Sequence, residues 1–322
     1  MLSHLKKDDN SYDVFYQNLL EYTKVGERMK HIFIIKPDQN NKNIEAMIVK
    51  VMQGYRYEIK YTHYPRHATL LAKSYSGCNY RIYAVGGDGM IHEIVQGLVG
   101  SDNELVVIPT GTGNDFVRTI ADENDPEKLL KKSLSLAASE IDLIKANDIY
   151  CINVLCCAFD SDIANNVHKY SQIKYLPRSL QYASVLVRRI TQYCLFPTAL
   201  FQDGKKFYEG NLIVGAFCNG KYFGGGFKIG KEAQIDDGMI DINLVSSLHK
   251  RYIPYYLTLL LAGKLEQGKL YYHQKLPYLT LKTRQQVNID GETYPSGTYN
   301  LKIVKNSLKI VLYRQKDWLS NE

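Results

Sequence analysis

The chain has 322 residues, of which 45% are hydrophobic and 23% are charged, and its formal net charge is +7. These values exclude a disordered chain, and the length suits two domains better than one. The positive charge favours anionic partners, but Lys and Arg are scattered along the chain instead of forming one patch. We therefore expect no nucleic-acid partner.

Two further features bear on where the protein works. The six cysteines show neither C-x-x-C pairs nor zinc spacing, which indicates free thiols in a reducing compartment. The N-terminus lacks an apolar signal core, and the longest apolar run, Ile253 to Gly263, is too short to span a bilayer. We expect a cytoplasmic protein without a transmembrane segment.

The first half of the chain alternates strand and helix patterns. Residues 1–28 are expected to be an extension with a short helix. The predicted strands are His31 to Ile35, Tyr57 to Thr62, Arg81 to Val85 and Glu104 to Ile108, and residues at helical spacing follow each of the first three. This alternation predicts a mostly parallel sheet that binds ligands at the carboxyl ends of its strands.

From Glu140 onward short strands dominate, which predicts an antiparallel β-sandwich. The expected strands are 141–145, 150–159, 212–219, 239–245, 278–283 and 286–290, with a hairpin over 299–313 that turns at Lys305-Asn306 and helices near 176–195 and 252–262. We predict an α/β domain over 29–142, a β-sandwich over 143–314 and a tail over 315–322. The cleft between the two domains is the default ligand site.

A glycine turn follows the third strand. Gly86-Gly87-Asp88-Gly89 leads directly into an amphipathic helix, so backbone N–H groups and the helix dipole can meet an anion there. An ordinary strand-to-helix turn explains this stretch equally well when it is taken alone.

A second turn, Thr110 to Asn114, follows the next strand. Two such turns side by side would cradle a polyphosphate. Asp88 and Asp115 could add Mg²⁺ ligands and Arg118 a phosphate contact. The simpler alternatives are a turn former, a helix cap and a solvent-facing arginine.

Three motifs stand out in the second half of the chain. Tyr222-Phe-Gly-Gly-Gly226 signals a close backbone approach, and the Asp237-Gly238 loop offers a carboxylate and carbonyls to a cation. Asn288-Ile-Asp-Gly-Glu292 places two carboxylates around a glycine, as a hairpin turn or as the site of a general base for a hydroxyl.

Taken in order, these motifs resemble the bacterial soluble lipid kinases of the diacylglycerol kinase catalytic-domain superfamily, which includes sphingosine and ceramide kinases. The resemblance covers roughly residues 31 to 315. It implies a Rossmann-like nucleotide domain, similar to that of NAD kinases, followed by an antiparallel β-sandwich, with ATP in the cleft. It also implies a lipid substrate at a membrane surface, peripheral membrane association and compatibility with a homodimer.

The resemblance also implies roles for individual residues. Asp88, Asp115 and Asp142 would serve the phosphates and Mg²⁺, and Glu292 would be the base that deprotonates the lipid hydroxyl. A structural magnesium loop would use Asp237 with the carbonyls of Gln234 and Met239. The nucleotide-binding residues would be Gly86, Gly87, Gly89, Glu93, Thr110, Gly111, Thr112, Gly113, Asn114 and Arg118.

Three departures from the family pattern leave alternatives open. Met90 stands where the family usually has threonine, His92 stands where it has asparagine, and the first strand ends in Lys36-Pro-Asp-Gln without the usual serine and glycine. One alternative is a catalytically weakened regulator of the same fold that binds nucleotide or lipid. Another is a kinase for a soluble substrate. The sequence does not identify the lipid or the oligomeric state.

Overall fold

The computed structural model describes residues 29–37, 41–158, 196–246 and 250–314. Its first half is a parallel sheet with the strand order β2-β1-β3-β4. Every residue of β1 and β3 is buried, because helices cover both faces of a parallel sheet. The predicted alternation of strands and helices is confirmed. These strands are β1 (His31–Ile35), β2 (Tyr57–Tyr61), β3 (Arg81–Gly86) and β4 (Glu104–Pro109).

Five helices connect and cover these strands: α1 (Asn41–Val51), α2 (His67–Ser74), α3 (Asp88–Leu98), α4 (Val117–Ile120) and α5 (Pro126–Ser133). Helices α2 and α3 approach closely at Gly97, where an added Cβ would lie 2.4 Å from the carbonyl oxygen of Thr69. This contact fixes α3, which carries the first glycine turn at its N-terminus.

The second half is mainly antiparallel, as predicted. Its strands are β5 (Ala138–Ala146), β6 (Ile149–Cys151), β7 (Val154–Cys156), β8 (Phe196–Gln202), β9 (Lys205–Cys218), β10 (Tyr222–Phe223), β11 (Phe227–Lys228), β12 (Ile240–Ser246), β13 (Tyr271–Leu276), β14 (Tyr278–Thr283), β15 (Val287–Ile289), β16 (Glu292–Tyr294) and β17 (Gly297–Val311). Helix α6 (Ile253–Leu261) lies between two short 3₁₀ turns, Lys250–Tyr252 and Leu265–Gln267. Within the described ranges, no helix combines the length and apolarity needed to cross a bilayer.

Strand β17 connects the two halves of the molecule. It pairs antiparallel with β14 in the second half and with β5 along most of its length. At its far end, Lys309 and Ile310 pair parallel with β4. Among the described residues, the hydrophobic side chains form two buried clusters, one around β1, β3 and β4 and the other around β7, β9 and β12.

Two predictions about the second half need correction. The expected hairpin over 299–313 is wrong: β17 is one strand with a bulge between Val304 and Leu308, because the segments on both sides pair with β5. The hairpin β8–β9 was not predicted, although its Asp203-Gly204 turn has positive φ angles of 50° and 74°. The helices expected within 1–28 and near 176–195 lie outside the described residues.

Candidate active site

A cleft of about 2230 Å³ opens where the parallel strands end. One wall contains the ends of β1, β3 and β4 with the residues that follow them. The other wall contains the glycine run after Phe223 and the turn that joins β15 to β16. Both predicted glycine turns and the Asp-Gly-Glu motif therefore meet in one cavity.

The two glycine turns lie in direct contact. The Thr110 N–H donates to the Gly86 carbonyl at 3.0 Å. A Cβ added to Gly111 would lie 2.5 Å from Gly87 Cα, a separation that side chains do not reach. Only glycine allows the two backbones to pack this closely. The two turns therefore form one continuous backbone surface at the end of the sheet.

This surface suits a phosphate group. Helix α3 starts at Asp88, and its first residues, Asp88, Gly89 and Met90, line the cleft, so the positive end of the helix dipole lies at the cleft. Nearby, the buried Arg118 Nε has no hydrogen-bond partner within the described part of the chain. Arg118 packs beneath Gly226, whose added Cβ would lie 3.5 Å from the guanidinium carbon, and it does not line the cleft.

Two aspartates in the cleft connect these elements. Asp88 accepts the Phe116 N–H at 3.2 Å and so joins the first turn to the second. The carboxylate of Asp115 accepts the Gly225 N–H at 3.0 and 2.9 Å, which attaches the second turn to the glycine run of the other wall. Both carboxylates line the cleft, and oxygen ligands of this kind are those that Mg²⁺ prefers.

Glu292 lies opposite the first glycine turn. It is exposed to the cleft at the start of β16, and a Cβ added to Gly89 would lie 3.4 Å from its Oε1. The fold thus brings a carboxylate from the far end of the chain over the N-terminus of α3, where the phosphate surface is.

Asp290 anchors the turn that carries Glu292. Its buried carboxylate accepts three backbone N–H groups, from Ile152 at 2.9 Å, Asn153 at 2.9 Å and Val154 at 3.1 Å. The thiol of Cys151 also donates to it at 3.1 Å, and burial raises the pKa of that thiol. The predicted single strand over 150–159 is broken here into β6 and β7, and this break directs the three N–H groups at Asp290.

His92 links this anchored turn to α3. Its Nδ1 lies 3.1 Å from Asp290 Oδ2, and its Nε2 lies 2.9 Å from the Tyr294 hydroxyl. Because a carboxylate only accepts, Nδ1 donates, and in the neutral ring Nε2 then accepts from the hydroxyl. Burial and the nearby Glu292 raise the pKa of Tyr294 to about 12, which keeps that donor protonated. The histidine therefore fixes α3 to both strands around the Glu292 turn.

We expect His92→Ala to lower the free energy of unfolding by about 2 kcal/mol, because it removes two hydrogen bonds, one to the buried Asp290 carboxylate and one to the half-buried Tyr294 hydroxyl. Urea unfolding measures the change. The matched control is His63→Ala, since His63 is exposed in the described structure. An unchanged midpoint for His92→Ala would show that these bonds do not stabilise the fold.

Other predicted site residues lie at the edge of the cleft or outside it. Glu93 lines the cleft, but its carboxylate accepts the N–H groups of Arg66 and Ala68 and so caps α2. Asn114 donates to the Gly111 carbonyl at 2.8 Å and shapes the second turn. Asp142 lies outside the cleft lining, where it accepts the N–H groups of Gly238 and Asn306. The predicted part that Asp142 plays in a magnesium network stays a prediction.

The predicted structural metal loop is occupied by protein groups. Asp237 accepts the Met239 N–H at 3.0 Å and the ammonium of Lys275 at 2.9 Å. The same ammonium donates to the Glu232 carbonyl at 2.7 Å. No group of three or more His, Cys, Asp or Glu side chains in the described ranges is arranged to hold a metal. The loop's cation role, with Gln234 as a further ligand, stays a prediction.

Comparisons with known proteins identify the family of both halves of the chain. The diacylglycerol kinase catalytic domain matches residues 32–146, and the YegS C-terminal NAD kinase beta sandwich-like domain matches residues 155–312. A "Probable lipid kinase YegS-like" from Shewanella frigidimarina (strain NCIMB 400) is 28% identical over 239 residues, which cover 72% of this chain and 76% of that protein.

A protein with the same name from Pseudomonas fluorescens (strain Pf0-1) is 26% identical over 308 residues, 92% of this chain and 97% of its own. The crystal structure of a diacylglycerol kinase from Bacillus anthracis str. Sterne shares the fold, with a TM-score of 0.69 at 20% identity over 88% of this chain and 96% of that one. The chain therefore belongs to the diacylglycerol kinase-like family of lipid kinases.

Proposed function

We propose that this protein transfers the γ-phosphate of ATP to the hydroxyl of a lipid such as diacylglycerol at a membrane surface. The observation that carries this proposal is the position of the Glu292 carboxylate beside Gly89, at the start of the helix whose N-terminus suits a phosphate. A base for the attacking hydroxyl and a site for the transferred group thus face each other across one cleft.

In this proposal the two glycine turns bind the ATP phosphates through backbone N–H groups, with Thr110, Thr112 and Gly113 completing the second turn. Asp88 and Asp115 line the same space and would hold Mg²⁺, which neutralises phosphate charge when bound. Arg118 lies behind the glycine run and would add positive charge toward the phosphates. Asp142 would act at longer range, by fixing the Gly238 loop and the β17 bulge.

Glu292 would take the proton from the lipid hydroxyl as its oxygen attacks the γ-phosphorus. One P–O bond forms to the lipid, the P–O bond to the β-phosphate breaks, and ADP leaves. Such a transfer depends mainly on positioning and on neutralising charge, which the anchored Asp290 turn and the glycine turns both serve.

The test is an assay of purified protein with Mg-ATP and mixed micelles that contain diacylglycerol or, in parallel, other lipid alcohols. We expect labelled phosphate in a lipid product. Transfer to a soluble alcohol but to no lipid would favour the kinase for a soluble substrate. ATP binding by calorimetry without any transfer would favour the regulator, and the absence of both would overturn the nucleotide site itself.

A further inference from the structure

The outer face of α6 is apolar although it is exposed. The nine-residue helix Ile-Pro-Tyr-Tyr-Leu-Thr-Leu-Leu-Leu contains no charged residue. Tyr256 and Leu259 pack into the core of the second half, each 8% exposed, whereas Tyr255 and Leu261 are 51% and 52% exposed. A helix at the surface of a water-soluble domain normally turns polar side chains outward. The outer face of α6 has no charged side chain, and the hydroxyl of its exposed Thr258 donates to the Tyr255 carbonyl of the helix itself.

The apolar area extends beyond the helix. Tyr252 precedes α6 and is 46% exposed, and Leu270 is 41% exposed while its N–H donates to Tyr256. The described residues expose ten large apolar side chains, and four of them lie here. Single exposed apolar residues are common on protein surfaces, whereas a cluster of them around one helix marks an interaction surface.

Basic side chains border this area. Arg251 lies at one end, with its guanidinium 4.7 Å from the centre of the Tyr252 ring. Lys264 and Lys269 are exposed beyond the other end. The acid between them, Glu266, is ion-paired with Lys231. Tyrosine and leucine surrounded by lysine and arginine suit the boundary of an anionic lipid layer.

We propose that this α6 surface, formed by Tyr252, Tyr255, Leu261 and Leu270 with Arg251, Lys264 and Lys269, docks the protein on an anionic lipid leaflet. The proposal rests on the function proposed above and assigns the face through which the enzyme meets its substrate. The short α6 would lie in the plane of the headgroups, with Tyr255 and Leu261 inserted and the basic residues at the phosphates.

The position of α6 connects this surface to the cleft. The helix packs on β11, and Gly263 lies next to Lys228, with an added Cβ 3.7 Å from the Lys228 Cβ. Strand β11 follows the glycine run whose Gly225 lines the cleft and is held by Asp115. A leaflet seated on α6 therefore lies beside the cleft wall, where a lipid hydroxyl can enter.

The experiment uses the full chain in vesicle sedimentation, with phosphatidylglycerol mixed into phosphatidylcholine and with phosphatidylcholine alone. We expect binding only to the anionic vesicles. Y255S/L261S should weaken this binding about tenfold, because two apolar side chains no longer insert. K264E/K269E should weaken it at least fivefold for each lysine replaced, because one basic residue near an anionic surface contributes about 1 kcal/mol. The matched control is Val49→Ser, because Val49 on α1 is 50% exposed but lies outside this surface.

A second measurement separates docking from catalysis. With long-chain diacylglycerol in anionic vesicles, Y255S/L261S should lose phosphate transfer, whereas with dispersed short-chain diacylglycerol it should keep the parent kcat. Unchanged vesicle binding in both double variants would overturn the docking surface. If light scattering shows a dimer for the parent and a monomer for Y255S/L261S, and vesicle binding is intact, the surface binds a second copy of the chain and the docking proposal is overturned. If the parent transfers phosphate to no lipid yet its vesicle binding depends on these residues, the proposed function fails and the docking surface stands.

Discussion

Replacing Glu292 with glutamine should lower kcat for lipid phosphorylation about 10²- to 10⁴-fold, the usual contribution of a positioned general base. Glutamine keeps the size and polarity of the side chain beside Gly89 but cannot take the proton. ATP affinity should stay at the parent value, because the glycine turns and α3 remain intact. Kinetics in mixed micelles measure the first effect, and calorimetry with ATP measures the second.

The control for this substitution is Asp102→Asn. Asp102 has a side chain that is 80% exposed and pairs with Lys309, and it does not line the cleft. The Asp102→Asn variant should therefore keep the parent kcat. A Glu292→Gln enzyme as active as the parent would remove the base from the proposed mechanism, while a loss of ATP binding would show that the side chain serves the nucleotide instead.

Gly111→Ala should weaken ATP binding about 10- to 100-fold, since overpacking typically costs 1–3 kcal/mol. The new methyl group would meet Gly87 Cα at 2.5 Å and Gly87 N at 3.0 Å, so the two turns must separate. Backbone atoms on the opposing turn cannot rotate away as a flexible side chain would. Titration calorimetry with Mg-ATP gives the dissociation constant.

Two other glycine-to-alanine variants test whether the loss of ATP affinity follows the closeness of the contact. An added Cβ at Gly87 would lie 3.2 Å from Gly111 Cα, so Gly87→Ala should have a smaller effect than Gly111→Ala. At Gly77 nothing lies within 4 Å, and Gly77→Ala should bind ATP like the parent. Equal affinities in all three variants would contradict a nucleotide site at the contact between the turns. Circular dichroism checks that each variant is folded.

The parts of the site that depend on local chemistry could be predicted from the sequence. Gly86 to Gly89 follow a strand and open a helix, and the residue order alone indicates a turn with exposed N–H groups. The resemblance to lipid kinases then pointed to Glu292. The structure places both in one cleft, and their roles remain the proposals to be tested.

The support around Glu292 could not be predicted in the same way. The sequence shows Asp290 only as one carboxylate in a turn, because nothing near it in the sequence specifies the N–H groups of residues 152–154 as its partners. In the sequence, His92 is only a departure from the family pattern. Only the fold shows that its imidazole bridges Asp290 and Tyr294.

Local turn signals succeeded or failed according to tertiary pairing. Asp203-Gly204 is a sufficient local signal for the hairpin β8–β9. Lys305-Asn306 is also a local turn signal, but pairing of β17 with β5 on both sides makes it a bulge. At that bulge Asn306 has a positive φ of 48° and donates to the buried Asp142, so long-range contacts decide the local backbone.

The path of β17 has a consequence for how the protein is made. Residues 309–310 pair with β4, so the parallel sheet gains this strand only after about two hundred further residues have been synthesised beyond β4. Until then β4 presents an open edge, which favours pairing with other chains. A fragment that ends at residue 146 lacks β17. It would keep that edge permanently, because β4 and β5, which both pair with β17, would be uncovered. The nucleotide half therefore matures last, although it is synthesised first.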